Sequence, residues 1–484
     1  MKKYFSISCL FLSMAQLSFA QNNNWTYATM ETEGANEIST NNSEAIQILQ
    51  TNNDISAVYV NLDYVEVLKG RSLHGPGFVK QNDKQSALNS LNFIPNYNKN
   101  VLDFTITEDA FVSQCLNSVD HVKIGETIVD LENYGTRFHS QPSGIQAAVD
   151  LQNRWQTMAT NANRTDVLVE AFPHNFSNQN SVIVTIPGSE FPDEIVIIGA
   201  HLDSGDNWNQ TNAPGANDNA SGIATITEAY RVLLANDFKP KRTVQIMAFA
   251  AEEVGLLGSM DIAELYSNQN KNVLGITVFD MVNYHGSEDD VFLVSDPQYI
   301  SAELNVFYVE LMEHYNASGA HKLTYQHSEC GYACGDHVSW AVNGFMAAYP
   351  FETSEDQDEF YPFYHTPNDT FASMNNDATH SAKFVKLALE FLIEIAKTNN
   401  MNTTDLNKNS MQVVVRKNQL LYEIPTNEKL NSFQIVNTQA QVVTNRNSIN
   451  SSGSVDISHF PSGVYIAIAK NQNGETFTQK FIKK

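Results

Sequence analysis

At 484 residues with 42% hydrophobic content, the chain exceeds one typical domain and carries enough apolar material for a large core. Its formal net charge of −25 argues against partners that are nucleic acids or anionic membrane surfaces. The same charge fits a soluble protein outside the cell.

Residues 1–20, MKKYFSISCLFLSMAQLSFA, hold two lysines, an apolar stretch and small Ala20 before polar Gln21. That is the pattern of a secretory signal peptide. The apolar run is too short for a transmembrane helix, and no other stretch is a candidate span. Cys9 leaves with the signal, so three cysteines remain in the exported chain. Residues 21–108 form a separate section. NLDYVEVLKG and NKNVLDFTITEDA alternate like strands between Asn-rich connections. No metal-type spacing occurs there, and the section reads as an accessory domain or an N-terminal propeptide. Cys115, just beyond it, is expected as a buried free thiol.

The section 109–398 opens with a helix. After the Gln-Pro-Ser-Gly turn, Ile145, Ala148, Leu151, Trp155 and Met158 recur at helical spacing, which is core packing. SVIVTIPGS is a strand and turn. Two β-branched runs, Ile195–Ile198 and Thr243–Phe249, then read as buried parallel strands. His201 follows the first, and Glu252 and Glu253 follow the second. Between them Asp218 lies in the loop APGANDNASG, which runs into a helix-like segment Ser221–Ala235. Sites in open α/β sheets form outside the carboxyl ends of the strands, so one imidazole and three carboxylates are aimed at one rim. Histidine with Asp/Glu suits zinc, and a site that keeps a water is catalytic. Neighbouring side chains at a strand end point different ways, so one of the two glutamates can bind metal while the other faces the water.

Asp203 is two residues past His201, and alternate residues of extended chain point the same way. It is expected to turn back to the ring N–H and fix the tautomer. VGLLGSMDIAELY is a helix, NVLGITVFDMVNY a buried strand ending at Asp280, DVFLVSD a further strand and SAELNVFYVELMEHY an amphipathic helix. In CGYAC, Cys330 and Cys334 are separated by three residues; in an exported chain this favours a disulfide over a metal pair. Asp336 and His337 follow and are read as structural. YHTPNDT brings His365, and HSAKFVKLALEFLIEIAK closes the section as a helix.

GAHLDS, APGANDNASG, AFAAEEVGLLGS, VFDMVNY and YHTPNDT, in that order, resemble the M28 family of zinc peptidases, and most closely its secreted bacterial leucyl aminopeptidases. The likeness covers about Asp109 to Thr398. It implies that His201, Asp218, Glu253, Asp280 and His365 bind two zinc ions, with Asp218 bridging them and a cis peptide bond after it. It implies that Glu252 is the general base and that a Cys330–Cys334 disulfide frames Tyr332 near the reacting carbonyl. Met281 and Phe351 correspond to apolar substrate-pocket residues, and Phe360, Tyr361 and Tyr364 lie where further pocket aromatics occur.

NNMNTTDLNKNS, within 399–411, is a polar linker. From Gln412 to Lys484 the chain turns to short strands, a small all-β module. Its ending, FPSGVYIAIAKNQNGETFTQKFIKK, is similar to the C-terminal sorting domain of the type IX secretion system. The expected fold is therefore a mixed central sheet flanked by helices, an α/β/α sandwich, followed by the β module. The expected function is a secreted, monomeric two-zinc aminopeptidase acting on peptides with a free N-terminus and a large apolar first residue. It would reach the cell surface or medium through the periplasm. The alternatives are a glutaminyl cyclase or carboxypeptidase-like member of the same superfamily, or an inactive binding protein on this fold.

Overall fold

The computed structural model describes residues 25–52, 54–68, 75–81, 83–91, 104–206, 210–354, 359–398, 411–416, 418–424, 430–437, 441–472 and 476–483. The signal-peptide expectation at 1–20 lies outside these residues. So does the linker, except Met411, which is buried in the core of the tail. The chain forms two compact units, residues 1–399 and 400–484.

In the first unit, strands β1 (Trp25–Glu31), β2 (Ile46–Thr51), β3 (Ile55–Asn61) and β4 (Phe78–Gln81) make an antiparallel sheet in the order β2-β3-β1-β4. Met30, Ile38, Ile46, Val58, Val60 and Phe78 give it a core of its own. The strand expected in NLDYVEVLKG is not there. Residues Leu62–Tyr64 and Val65–Leu68 are short helical turns instead. Leu62, Val65 and Leu68 recur every third residue, which suits a turn of helix, and the β-branched run before them, ISAVYVN, takes the strand. NKNVLDFTITEDA is likewise no strand in its described part: residues 104–108 are irregular and a helix begins at Asp109.

The central sheet contains β5 (Leu168–Phe172), β6 (Ser181–Ile186), β7 (Phe191–His201), β8 (Arg242–Phe249) and β9 (Asn272–Val278). Three short strands, β10 (Val291–Val294), β11 (Tyr325–Ser328) and β13 (Pro350–Phe351), pair beside it, and β12 (Ala347–Ala348) joins its edge; the order is β12-β9-β7-β8-β6-β5. β12, β9, β7 and β8 run parallel, β6 is antiparallel to β8, and β5 is antiparallel to β6. Ile195 to Ala200 of β7 are buried throughout, as expected for a strand covered on both faces. The predicted helix is Pro142–Asn161, with Pro142 in the first turn and Leu151 and Trp155 fully inside. The crossovers from β7 to β8 and from β8 to β9 carry the helices Gly222–Ala235 and Leu257–Asn268. The closing helix, Ser381–Ala396, packs on Gly222–Ala235 and on β7. Because β7, β8 and β9 are parallel neighbours, their carboxyl ends open onto one rim.

The second unit is all-β. β14 (Gln412–Arg416), β15 (Gln419–Glu423) and β18 (Ser452–Asp456) form one antiparallel sheet. β16 (Leu430–Asn437), β17 (Val442–Ile449), β19 (Gly463–Asn471) and β20 (Thr476–Lys483) form the other. Alternation along β19 puts Tyr465, Ala467 and Ala469 inside, against Phe433, Phe477 and Phe481. No described helix is long and apolar enough to cross a membrane.

Candidate metal centre

His201 is the last residue of β7, Glu252 and Glu253 follow β8, and Asp280 follows β9. Asp218 reaches the same rim from the loop that starts the helix Gly222–Ala235, and His365 arrives from the segment before the closing helix. All six side chains are buried. Their atoms form two groups that share Asp218. His201 Nε2 lies 3.1 Å from Asp280 Oδ1 and 3.2 Å from Asp218 Oδ1. His365 Nε2 lies 3.0 Å from Asp218 Oδ2 and 2.8 Å from Glu253 Oε2. The five residues thus make two sets of three metal-type donors, each set with donor atoms within 4.8 Å of one another.

The electrostatics are those of a cation site. Both Asp218 oxygens face imidazole nitrogens without a formed hydrogen bond, and Glu252 Oε1 is buried with no hydrogen-bond partner. Burial pushes the Glu252 carboxyl up; His201 opposes this, Asp336, Asp280 and Glu253 add to it, and the pKa ends well above the usual range. Burial also disfavours charge on His201, but Asp280, Glu252, Asp203 and Asp218 together raise its pKa well above the ordinary imidazole value. For Asp218, the imidazoles of His365 and His201 overcome burial and hold the pKa well below the usual value. So many carboxylates packed together repel one another unless cations sit among them. The donor set of imidazole and carboxylate is the one zinc takes, so these residues fit the ions that the sequence implies.

The surrounding structure holds these groups in place. Asp203 meets His201 through its main chain more closely than through the side chain expected to reach the ring. His201 Nδ1 faces its backbone carbonyl at 3.1 Å and its carboxylate at 3.6 Å. The two carboxylate oxygens instead accept the backbone N–H groups of Glu252 and Glu253, at 3.0 and 3.2 Å. One side chain therefore orients both glutamates. Gly205 is required by close approach, since a Cβ there would lie 2.7 Å from the Glu253 carboxyl. The Asp218–Asn219 peptide bond is cis.

Three supports were not legible in the sequence. Asp369 accepts the backbone N–H of Asn217 at 2.8 Å and of Asp218 at 3.0 Å. Burial pushes its carboxyl up to about 7, against the pull of those two donors. Glu352 accepts Asn217 Nδ2 and the backbone N–H of Tyr284, both at 2.6 Å. Arg137, fully buried, donates to the carbonyls of Leu202, Pro214 and Gly215 at 2.9, 2.6 and 2.8 Å, and so braces the two loops that carry His201 and Asp218. The only available signals were that Asp369 shares the YHTPNDT stretch with His365, and that Arg137 precedes the first long helix.

Cys330 and Cys334 are disulfide-bonded, and Asp296 anchors their loop by accepting the N–H groups of Cys330 and Gly331. Tyr332 is half-buried within that loop and packs against the main core. An aromatic series runs from Tyr349 to Phe351, Phe360 and Tyr364, with ring centroids 5.6, 5.6 and 6.0 Å apart, and ends 5.1 Å from the His365 ring. Phe351 and Met281 are fully buried, and the Met281 N–H donates to Asn219 beside Asp218. Tyr361 leaves this series and packs on Tyr284 and Phe363. Asp336 and His337 are buried near the cluster but belong to neither donor group; His337 stacks on Tyr349. Cys115 is a buried free thiol whose pKa burial pushes up to about 12.

Residues 181–390 match peptidase family M28, and residues 416–484 match the secretion system C-terminal sorting domain. A probable leucine aminopeptidase of Arthroderma benhamiae is 34% identical over 284 residues, which cover 58% of this chain and 74% of that protein. The probable aminopeptidase YDR415C of Saccharomyces cerevisiae is 29% identical over 296 residues, 60% of this chain and 77% of that one. Among solved structures, LapB from Legionella pneumophila superposes with a TM-score of 0.67 at 26% identity, covering 77% of this chain and all of its own. The LapA aminopeptidase of the same organism gives 0.66 at 27% identity, covering 77% and 98%.

Proposed function

The chain belongs to peptidase family M28, and from that premise we propose that it is a two-zinc aminopeptidase, exported to the cell surface or medium, that removes apolar N-terminal residues from peptides. The observation that carries this reading is the position of Asp218, with one carboxylate oxygen toward His201 and the other toward His365. In this reading His201, Asp218 and Asp280 hold one zinc ion, and Asp218, Glu253 and His365 the other. When bound, the ions supply Lewis-acid polarisation of the scissile carbonyl and lower the pKa of a water.

The chain's own groups then do the rest. Glu252, left outside both donor groups, takes a proton from the attacking water and returns it to the leaving amine as the C–N bond breaks. Tyr332 donates to the carbonyl oxygen as charge develops there. Met281, Phe351 and Tyr364 wall a pocket for a large apolar first side chain. Asp203 orients Glu252 and Glu253 through their backbone.

Within this reading residues 109–398 are the catalytic domain and 21–108 a propeptide-like region. Support for the latter is its contact with the disulfide loop. Val79 packs with Leu256, Met260, Ala333 and Val338, and a Cβ at Gly75 would lie 3.0 Å from the Cys334 backbone. Residues 1–20 would direct export to the periplasm and the sorting domain the final step.

Metal analysis and an aminoacyl-anilide panel on the purified protein test this. The expected result is close to two zinc ions at the sheet-edge centre and fastest turnover of leucine-type anilides. Cyclisation of an N-terminal glutaminyl peptide without anilide hydrolysis would replace the reading with the cyclase alternative.

A further inference from the structure

A second group of metal-type side chains lies away from the sheet edge. His285, in the segment after β9, Asp290, just before β10, and His380, immediately before the closing helix, bring ligand atoms within 4.8 Å of one another. The two imidazoles stack at 4.8 Å between centroids. His285 Nε2 is 3.5 Å from Asp290 Oδ1. His380 is 5% exposed and its Nε2 has no hydrogen-bond partner. The other oxygen of Asp290 is fixed by the backbone N–H of Thr324 at 3.0 Å, so the carboxylate is held rather than free to swing away. A cleft of about 210 Å³, lined by Asn283, His285, Asp377, His380 and Lys383 among others, opens beside the group.

We propose that His285, Asp290 and His380 form an additional binding site for one transition-metal dication such as zinc. Two imidazoles and one carboxylate are the donor set of open zinc sites, and the cleft admits the water that completes the coordination. Donors around a tetrahedral zinc are about 3.4 Å apart for bonds near 2.05 Å, so the 3.5 Å between His285 and Asp290 already matches, and no pair within the 4.8 Å limit has more than about 1.4 Å to close. A cation already belongs here. The ammonium of Lys383 pairs directly with Asp290 Oδ1, the same oxygen that His285 approaches. The Lys383 side chain is 28% exposed, so a dication can displace it into solvent.

The site has a route to the rim. Ser381 Oγ, next to His380, donates to Asn283 Oδ1, and the Asn283 N–H donates to Asn217 Oδ1, one residue before Asp218. A metal at His285 and His380 fastens both ends of that bracket, so binding should raise thermal stability without entering the chemistry.

The test uses the full chain loaded with zinc, desalted and assayed for metal by mass spectrometry. The native protein is expected to hold one equivalent more than His285→Ala/His380→Ala, and added zinc should raise the Tm of the native protein but not of the double variant. His380 is buried and its loss can disturb the fold, so Lys383→Met provides the opposite arm. Removing the competing ammonium should tighten the extra equivalent about tenfold in a chelator-competition titration, the effect of losing one close charge competitor. Equal zinc content in native and double variant, or unchanged affinity in Lys383→Met, overturns the site.

Discussion

Glu252 and Glu253 are neighbours held through the same Asp203 carboxylate, yet they face different partners. Glu253 Oε2 lies 2.8 Å from His365, whereas Glu252 is left outside both donor groups. Glu252→Gln keeps the shape but cannot accept a proton. Its zinc content should match that of the native enzyme, and kcat should fall by at least roughly 10²–10⁴-fold. Glu253→Gln should lose zinc, because a neutral amide is a poorer ligand, and excess zinc should restore part of its rate. Metal loss from the first variant and full occupancy in the second would reverse the two roles. Asp369→Asn tests the support beneath Asp218. An amide turns one N–H donor toward the backbone N–H groups that Asp369 now accepts, so the Asp218 loop should shift. Zinc affinity should drop while circular dichroism stays native; undiminished affinity would make Asp369 a bystander. The contrast between metal-type donors and their supports explains what the sequence reveals. His201, Asp218 and Glu253 stand out by residue type at strand ends and in an Asn/Gly loop, whereas Asp280 and His365 join them in the sequence only through the family resemblance. Arg137 and Asp369 bind only backbone groups, a role that leaves no pattern of residue types.

At the scale of elements, near-continuous apolar runs mark β7, β8 and β9, because a parallel strand covered on both faces is apolar at most positions, with buried Gln245 and Thr277 as exceptions. Two-residue strands such as β12 and β13 carry no period at all, and only tertiary pairing makes them. The helix Ser381–Ala396 shows a different limit. Its periodicity marks it clearly, but nothing in it announces that Glu390 lies fully buried. Glu390 Oε1 accepts Asn316 Nδ2 at 2.9 Å, yet burial outweighs this and pushes the carboxyl up to about 8. An unfolded glutamate titrates at about 4.3. Between those values the folded chain binds the extra proton, so the Glu390 contribution favours the native state at low pH and is lost as pH rises toward 8. The slope is at most about 1.4 kcal/mol per pH unit. Glu390→Gln should therefore flatten the fall in Tm between pH 5 and pH 8 (roughly the span of the shift). Parallel pH profiles for the two proteins would refute a protonated Glu390.

For the molecule as a whole, the question is which parts the chemistry needs. The described residues before 109 contribute no member of the two donor groups at the sheet edge, but they pack on the loop that carries Tyr332. If it restrains that loop, cleavage near residue 108 should raise kcat/KM for an anilide, and equal rates before and after would leave it a folding aid. The tail differs in kind. Residues 416–484 match a sorting domain, and they have a hydrophobic core of their own, built from Leu420, Phe433, Ile435, Ala467 and Phe477. Their described residues supply no member of either donor group at the sheet edge. A domain that closes its own core is able to fold apart from its neighbour. A chain ending near Thr398 should therefore keep native zinc content and an unchanged kcat when purified. In the native host the same truncated chain should fail to reach the surface or medium and should accumulate in the periplasm. Fractionation with an activity assay in each compartment distinguishes the outcomes. Normal export of the truncated chain would detach sorting from the tail, and a purified truncated enzyme with impaired kcat would show that the tail reaches the catalytic machinery.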